Sequence, residues 1–437
     1  MGVSHYWRRG YSRSAVMALK SSPLSGNVGA GVFVLFSDVE MALFMYDIFE
    51  RRGLRRIVLA GCVIVSWLLT ADALGCTSAI VSADASASGR PLLWKHRDTS
   101  TVDNKVEYVS AGADGGYSYV ALFNASDRSL SEAWMGMNEV GFAVMNTASY
   151  NIKADNVPER QMDREGYVMT IALRTCRSVD DFERLLDSLP RPMGVEANFG
   201  VIDAAGHGAY FETNNDSFVK YDLADADGGV LIRTNYSHSG REGEGYGYVR
   251  EANAEYLICP VLRGGGKISA EYLTEDVSRS FYHDVRHEDA LQGAERWAVD
   301  EDFIPRYKST ATIVIEGMRP VEDVSALRRE DVVGEYVMWT GLGYPPCAEI
   351  VPVWCDVRGV RDDLRGTGPE GTSPMCNEVK RRRGEVFPAR RGGNTKYIDL
   401  EKLRNAAGMG YLQVLVPRNR EIYRVISARR DTGEIHF

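Results

Sequence analysis

From residue 77 onward the chain alternates short β-rich runs with fewer, longer helical ones. Thr77 to Ser82 alternates and is β-rich, Ala83 to Arg90 is small and polar, and Pro91 to His96 resumes the strand pattern, which predicts a hairpin. Ala133 to Asn146 predicts a second hairpin, turning at Asn138-Glu139-Val140-Gly141. Tyr167 to Arg177 and Val179 to Leu189 carry apolar residues at helical spacing, and Asp180-Asp181 suit a first helical turn. Phe199 to Asp203 and Ala209 to Glu212 read as strands, and Phe218 to Tyr221 with Val230 to Thr234 as a further pair. Tyr248 to Leu262 predicts a helix that stops before Gly264-Gly265-Gly266. Thr310 to Glu316, Tyr336 to Thr340 and Ile350 to Trp354 are late strands. Gly366 to Arg391 reads as a surface loop, and Tyr397 to Asn405 as the start of a C-terminal helix. Strands grouped in hairpins and helices in clusters indicate α+β layering, not a doubly wound parallel sheet.

The 437 residues carry 51 Lys and Arg against 60 Asp and Glu, a net charge of −9. Beyond residue 75 the balance is 43 against 55, a net −12. An acidic body gives no electrostatic footprint for nucleic acid, so no nucleic-acid partner is expected.

One segment is apolar enough to meet a membrane. Arg51-Arg52-Gly53-Leu54-Arg55-Arg56 precedes Ile57 to Leu69, an apolar run of 13 residues broken by Gly61 and Ser66. As a helix it rises about 20 Å, short of a bilayer core of about 30 Å. The order basic, apolar, small-x-small fits a secretory signal peptide, with Ala73 and Gly75 at −3 and −1. Cleavage there would leave Cys76 as a new N-terminus. Residues 45–75 are then the signal peptide and 76–437 a single catalytic domain. Residues 1–44 sit awkwardly ahead of a signal and read as a non-native extension, with translation starting at Met41 or Met45. An uncut membrane anchor is the alternative. Leu59-Ala60-Gly61-Cys62 resembles a lipoprotein-processing box, but it opens the apolar run instead of closing it.

Beyond residue 75 the cysteines are Cys76, Cys176, Cys259, Cys347, Cys355 and Cys376, too sparse for a disulfide scaffold. Cys347 and Cys355 pair across a hairpin or stay as buried thiols. No Gly-x-Ser-x-Gly elbow and no phosphate-binding loop is present; Arg263-Gly264-Gly265-Gly266-Lys267 lacks the spacing. His283 and His287 are four apart but lack the adjoining Glu of a metal helix.

Cys76 changes the picture. Placed at a cleavage point, it would carry both a thiol and an α-amine, whose pKa of about 7.7–8.0 lets it take the thiol proton. The stretch Cys76-Thr77-Ser78-Ala79-Ile80-Val81, a turn with Gly89, and Leu92-Leu93-Trp94-Lys95-His96-Arg97-Asp98 resembles the start of the N-terminal-nucleophile (Ntn) hydrolases. Within them it is most similar to the choloylglycine hydrolase, penicillin V acylase and acyl-CoA:6-aminopenicillanic acid acyltransferase group. Asp98 matches the family Asp. Lys95 stands where the family has Arg, a role Arg97 is also placed to take. Met137-Asn138-Glu139-Val140-Gly141-Phe142-Ala143-Val144 resembles the family hairpin, with Asn146 shortly after it. Arg233-Thr234-Asn235 matches the Thr-Asn pair, and Arg250 in Gly247-Tyr248-Val249-Arg250 a following Arg. The resemblance spans roughly residues 76–355.

It implies a four-layer αββα sandwich, two antiparallel sheets between helical layers, and attack on a linear amide. Cys76 is then the nucleophile, Asp98 holds the α-amine and raises its pKa, and Asn235 with Asn146 binds the oxyanion. Arg250 orients Asp98 or binds an acidic substrate. Trp94, Trp134, Phe142 and Tyr150 are candidates to line an acyl pocket. The expected partner is a small N-acyl amide, with neither cofactor nor metal and no stable membrane association after leader cleavage. Self-association into a homo-oligomer is left open. The expected location is periplasmic or extracellular. The competing readings are a cysteine Ntn dipeptidase and a non-enzymatic, membrane-anchored binding protein.

Overall fold

The computed structural model describes residues 75–112, 115–153, 157–322, 324, 327–388 and 396–432. Of the expected leader segments, only Gly75 falls among them; the expected extension, the rest of the expected signal peptide and the Cys62 box lie outside the described residues.

Two strands open the fold, β1 (Thr77–Val81) and β2 (Leu92–Asp98), an antiparallel hairpin as expected. A meander follows: β3 (Asn104–Val109), β4 (Tyr119–Asn124), β5 (Met135–Asn138), β6 (Ala143–Ala148), β7 (Ala197–Ile202), β8 (Gly208–Thr213) and β9 (Phe218–Asp222). They form one seven-stranded antiparallel sheet in sequence order. Next come β10 (Val230–Arg233), β11 (Tyr282–His283), β12 (Glu288–Asp289), β13 (Trp297–Val299), β14 (Ser309–Glu316), β15 (Val337–Leu342), β16 (Val351–Val353) and β17 (Tyr397–Asp399). The second large sheet runs β10-β1-β2-β14-β15-β16, antiparallel throughout. The pairs β11–β12 and β13–β17 are small ladders.

The longer helices are α1 (Glu165–Thr175), α2 (Val179–Ser188), α3 (Tyr248–Arg263), α4 (Pro374–Val386) and α5 (Tyr411–Asp431). Alternation along each strand sends successive side chains to opposite faces and so sorts the core into layers. Ile80, Leu93, Ile313 and Met338 of one sheet meet Val120, Met135, Met145 and Tyr210 of the other. Tyr119, Phe123, Phe199 and Phe211 face outward onto Met169, Leu173, Phe182 and Leu186 of α1 and α2. On the opposite outer face, Ala79, Trp94, Val314 and Trp339 pack against Ala254 and Ile258 of α3, the single π turn Tyr272–Val277, and Tyr423 of α5. The order is therefore helix, sheet, sheet, helix, the expected α+β layering. Among the described residues no helix is long and apolar enough to cross a membrane.

Local chemistry fixes the key turns. Asn138 Oδ1 accepts from the backbone of Val140 and Phe142, while its Nδ2 donates to the carbonyls of Leu173 and Cys176 at the end of α1. Gly141 closes that turn at φ +85°, where a side chain would be strained. Ser178 and Asp181 form the capping box that starts α2.

Three sequence expectations differ. Strands 218–221 and 230–234 do not pair: β9 completes the seven-stranded sheet, whereas β10 joins β1, with Leu231 opposite Ile80. Two 3-10 turns, Leu223–Asp225 and Asp227–Gly229, the second closing on Gly228 and Gly229 at positive φ, carry the chain from one sheet to the other. The 366–391 segment contains α4. Ser373 Oγ caps it by accepting from Cys376 N, Pro374 suits its first turn, and Met375, Cys376, Val379 and Val386 bury one side. Residues 397–399 form β17 before a short helix, Leu400–Leu403. A buried ion pair, Arg233 Nε to Glu212 Oε1 at 2.6 Å, ties β10 to β8, and Glu212 also accepts from the backbone of His238 and Ser239.

Candidate active site

Pairing of Thr77 with His96 sets Cys76 beside the end of β2. The Cys76 thiol is buried, with Sγ 3.8 Å from the carbonyl oxygen of Asp98. Alternation along β2 divides its polar end between two faces. Lys95 and Arg97 point between the sheets, and His96 and Asp98 point outward.

The outward face is a closed network. Asp98 Oδ2 accepts from Arg306 Nε at 3.1 Å and Nη2 at 2.5 Å, and Oδ1 from Ser309 Oγ at 2.6 Å. A hydroxyl has one proton, so Ser309, having given it to Asp98, accepts from His96 Nε2 at 2.8 Å and from the backbone N of Arg306 at 2.9 Å. Burial, outweighing the nearby Asp98 charge, pushes His96 down to about 4, and Arg306 and Arg250 act the same way. The ring is neutral at neutral pH, which fits its partnerless Nδ1.

Because β10 pairs with β1, the following residue, Asn235, lands beside Cys76. Arg250, in the first turn of α3, reaches the same place. Its Nη1 donates to the carbonyls of Gly75 (3.0 Å) and Cys76 (2.5 Å) and to Thr77 Oγ1 (3.1 Å). Its Nη2 donates to Asn235 Oδ1 at 2.9 Å. Arginine only donates, so this contact fixes the amide orientation, and Asn235 Nδ2 donates to Ala148 O at 2.9 Å. One Asn235 N–H remains for a reacting oxygen.

Two sequence expectations for Arg250 change here. It makes no hydrogen bond to Asp98; Arg306 does. It is also 1% exposed, closed off from a substrate carboxylate, and burial with the neighbouring Arg306 lowers it to about 10. Arg306 additionally donates from Nη2 to Gly75 O at 2.8 Å. One carbonyl oxygen thus receives two guanidinium donors. A Cβ on residue 75 would lie 2.5 Å from Arg250 Nη2, 2.6 Å from Arg306 Nη2 and 2.9 Å from Asn235 Oδ1. Nothing in the local sequence around Pro305-Arg306-Tyr307 marks Arg306 or Ser309 for this role.

On the inter-sheet face, Lys95 Nζ donates to Asn146 Oδ1 and to the Trp134 carbonyl, both at 2.8 Å. Asn146 Nδ2 is thereby directed away from Lys95. Arg97 is held by the amide oxygens of Asn104 and Asn124 and lies 5.1 Å over the Trp134 ring. Tyr150, partly exposed, packs edge-on against Tyr246 at 5.4 Å. Burial, with the Cys76 charge second, pushes its hydroxyl up to about 12. Of the candidate acyl-pocket residues, Trp134 and Tyr150 adjoin the site. Trp94 instead packs under α3, bonded to Ser278, and Phe142 packs under α2. For Trp94 this follows from strand parity: it neighbours Lys95 and must face the other way.

The structure therefore brings Cys76, Asp98, Asn146, Asn235, Arg250, Lys95 and Arg97 together. His283 and His287 do not share a helix: one is in β11, the other follows a 3-10 turn in a left-handed conformation. Among the described residues no acidic, His and Cys cluster fits a metal ion. Cys347 and Cys355 are separate buried thiols.

No family model matches the chain, and no curated protein matches it. Solved structures share a distant likeness. An N-acylethanolamine-hydrolyzing acid amidase ortholog from Caenorhabditis elegans is 12% identical, covering 58% of this chain and 97% of that one, with a TM-score of 0.37. A variant of conjugated bile acid hydrolase from Clostridium perfringens is 13% identical over 66% and 95%, with a TM-score of 0.36. Penicillin V acylase from Agrobacterium tumefaciens is 12% identical over 64% and 86%, with a TM-score of 0.35. Likeness at that level carries neither activity nor residue roles to this chain.

Proposed function

We propose that residues 76–437 form a cysteine amidohydrolase of the N-terminal-nucleophile type, exported and acting on linear N-acyl amides. The observation that carries this reading is the convergence of Cys76, Asn235, Arg250, Asp98 and Arg306 on the Gly75–Cys76 peptide bond. That bond must break for Cys76 to gain its α-amine. Ala73 and Gly75 at −3 and −1 favour the export machinery, whereas the two guanidinia on Gly75 O favour cleavage by the site itself.

Once free, the α-amine takes the Cys76 proton, and the thiolate attacks the substrate carbonyl. The remaining Asn235 N–H and Asn146 Nδ2 receive the oxyanion, each such donor being worth about 10²–10³ in rate. The α-ammonium then protonates the leaving nitrogen, and water releases the acyl group; an amine in place of water would give transfer. Arg306 on Asp98 changes the electrostatics anticipated from the sequence. The carboxylate is already neutralised, and two guanidinia beside the amine favour its uncharged form, the form that accepts a proton.

The test is a panel of N-acyl amides and dipeptides offered to protein beginning at Cys76, with acyl-enzyme followed by intact mass. A thioester on Cys76 and release of amine are expected, and Cys76→Ser should keep the fold and lose nearly all turnover. Unchanged activity in C76S would overturn the mechanism. Turnover of dipeptides alone would instead support a dipeptidase, and no acylation by any compound a binding protein.

A further inference from the structure

Lys95 is 2% exposed, and Arg97 beside it 3%. Among the described residues no carboxylate lies within ion-pair distance of either. A buried cation without an acid is costly, and the two side chains answer that cost differently. Arg97 cannot lose its proton; its charge is spread over two amide oxygens and the Trp134 ring. Lysine can lose one. The surroundings of Nζ match the neutral amine: two N–H groups meet two acceptors, Trp134 O and Asn146 Oδ1, and a lone pair is left over. On β1 the residue opposite Lys95 is Ser78, and Cys76, two residues before it and just ahead of the strand, is near enough for its charge to act on Lys95.

In the chain that still carries residue 75, the Cys76 nitrogen is an amide and cannot act as a base. We propose that Lys95 accepts the Cys76 thiol proton in that uncut chain, so that the thiolate attacks the Gly75 carbonyl. This rests on Cys76 being the nucleophile of the proposed amidohydrolase. The S–H proton passes to Nζ as sulfur bonds the Gly75 carbon. The carbonyl oxygen becomes an oxyanion between Arg250 Nη1 and Arg306 Nη2. The C–N bond then breaks, Lys95 returns its proton to the nitrogen, and that nitrogen leaves as the Cys76 α-amine. Water hydrolyses the thioester to a Gly75 carboxylate and the free thiol. Lys95 thereby supplies the base that the site lacks until it has made its own.

Burial lowers the Lys95 pKa to about 7, with Cys76 opposing and Arg97 reinforcing the shift. The groups facing it are Cys76 ahead of β1, Arg97 on β2, Asn146 on β6, the Trp134 carbonyl before β5, and Tyr210 of β8, which bonds Ser78. Its loss of charge thus falls in the range where a base is useful.

The test is conversion of the purified full-length chain, followed by intact mass from pH 5.5 to 8.5, for wild type, Lys95→Arg and Lys95→Met. Melting temperatures confirm folding, and iodoacetamide labelling of the peptide spanning residues 75 and 76 reads the thiol in uncut molecules. Wild-type conversion should rise with pH through about 7. K95R keeps charge and donors but not the lone pair, so conversion should slow about 10²-fold or more while its thiol still alkylates. K95M should lose both. Conversion of K95R at the wild-type rate and pH profile would overturn the proposal, and so would a wild-type chain that never converts. In either case, turnover of N-acyl amides by protein made to begin at Cys76 would leave the amidohydrolase reading standing.

Discussion

Replacing Gly75 by alanine adds one methyl group at the most crowded point of the site. Ordinary contacts to a Cβ lie at 3.4–4 Å, yet this one would meet Arg250 Nη2 at 2.5 Å, Arg306 Nη2 at 2.6 Å and Asn235 Oδ1 at 2.9 Å. The first two must retreat by about 1 Å to reach contact distance. Arg306 Nη2, which donates to Gly75 O at 2.8 Å, then leaves hydrogen-bond range, and displacement of Arg250 Nη2 shifts the guanidinium whose Nη1 donates to the same oxygen at 3.0 Å. Loss of a single oxyanion donor costs about 10²–10³ in rate, and a 1 Å misplacement about 10². Gly75→Ala should therefore slow conversion of the full-length chain at least about 10²-fold, with the uncut mass accumulating. The assay is the fraction of cut chain against time by intact mass. Protein made to begin at Cys76 has no residue 75 and serves as the control for folding and turnover. Conversion of G75A at the wild-type rate would refute the claim that the two guanidinia act on this carbonyl.

Two further outcomes follow from buried charge. Glu212→Ala leaves Arg233 without its 2.6 Å partner in a site 2% exposed, and should lower unfolding free energy by about 3–5 kcal/mol in a denaturant titration; a loss under 1 kcal/mol would mean the pair is not desolvated as described. Glu165, at the start of α1, is pushed up to about 7 by burial, with Asp163 and Glu196 adding to it against two backbone hydrogen bonds. A raised carboxyl stabilises the fold below its unfolded value of 4.5, and that contribution is lost as pH climbs through 7. Glu165→Gln should remove a pH-dependent change of about 3 kcal/mol between pH 4.5 and 8, read by unfolding at several pH values; an unaltered pH profile would count against it.

The hairpin that opens the fold is legible in the sequence because Gly89 and the alternation of residues 77–82 and 91–96 are local signals. The same holds for the Asn138 turn and the acidic first turn of α2. The αββα layering came from the resemblance, and the packing of three separate apolar clusters supplies its physical content. What escaped the sequence was non-local. Arg306 touches Asp98 across 208 residues and Gly75 across 231, and no short motif encodes such a meeting. Strand β10 is legible as a strand but its neighbour is not, since pairing depends on where two 3-10 turns deliver the chain. Helix α4 is hidden in the sequence because its Arg-rich side outweighs the buried positions Met375, Cys376, Val379 and Val386. Trp94 and Phe142 are pocket candidates on residue type alone; strand parity beside Lys95 turns Trp94 to the outer face, and Phe142 packs against Phe182 of α2.

The span between Gly75 and Arg306 also sets a clock. During synthesis at about 5–20 residues per second, the 231 residues separating them take about 12–46 s to emerge. Until then the Gly75 carbonyl has at most one of its guanidinium donors, and β14, which follows directly and completes the centre of its sheet, is unmade. If the site itself cuts before Cys76, a chain stalled or truncated short of Arg306 would stay uncut however well its first hairpin had formed. Under that proposal, cleavage before Cys76 would certify a nearly finished fold, a quality gate written into the order in which the chain is made.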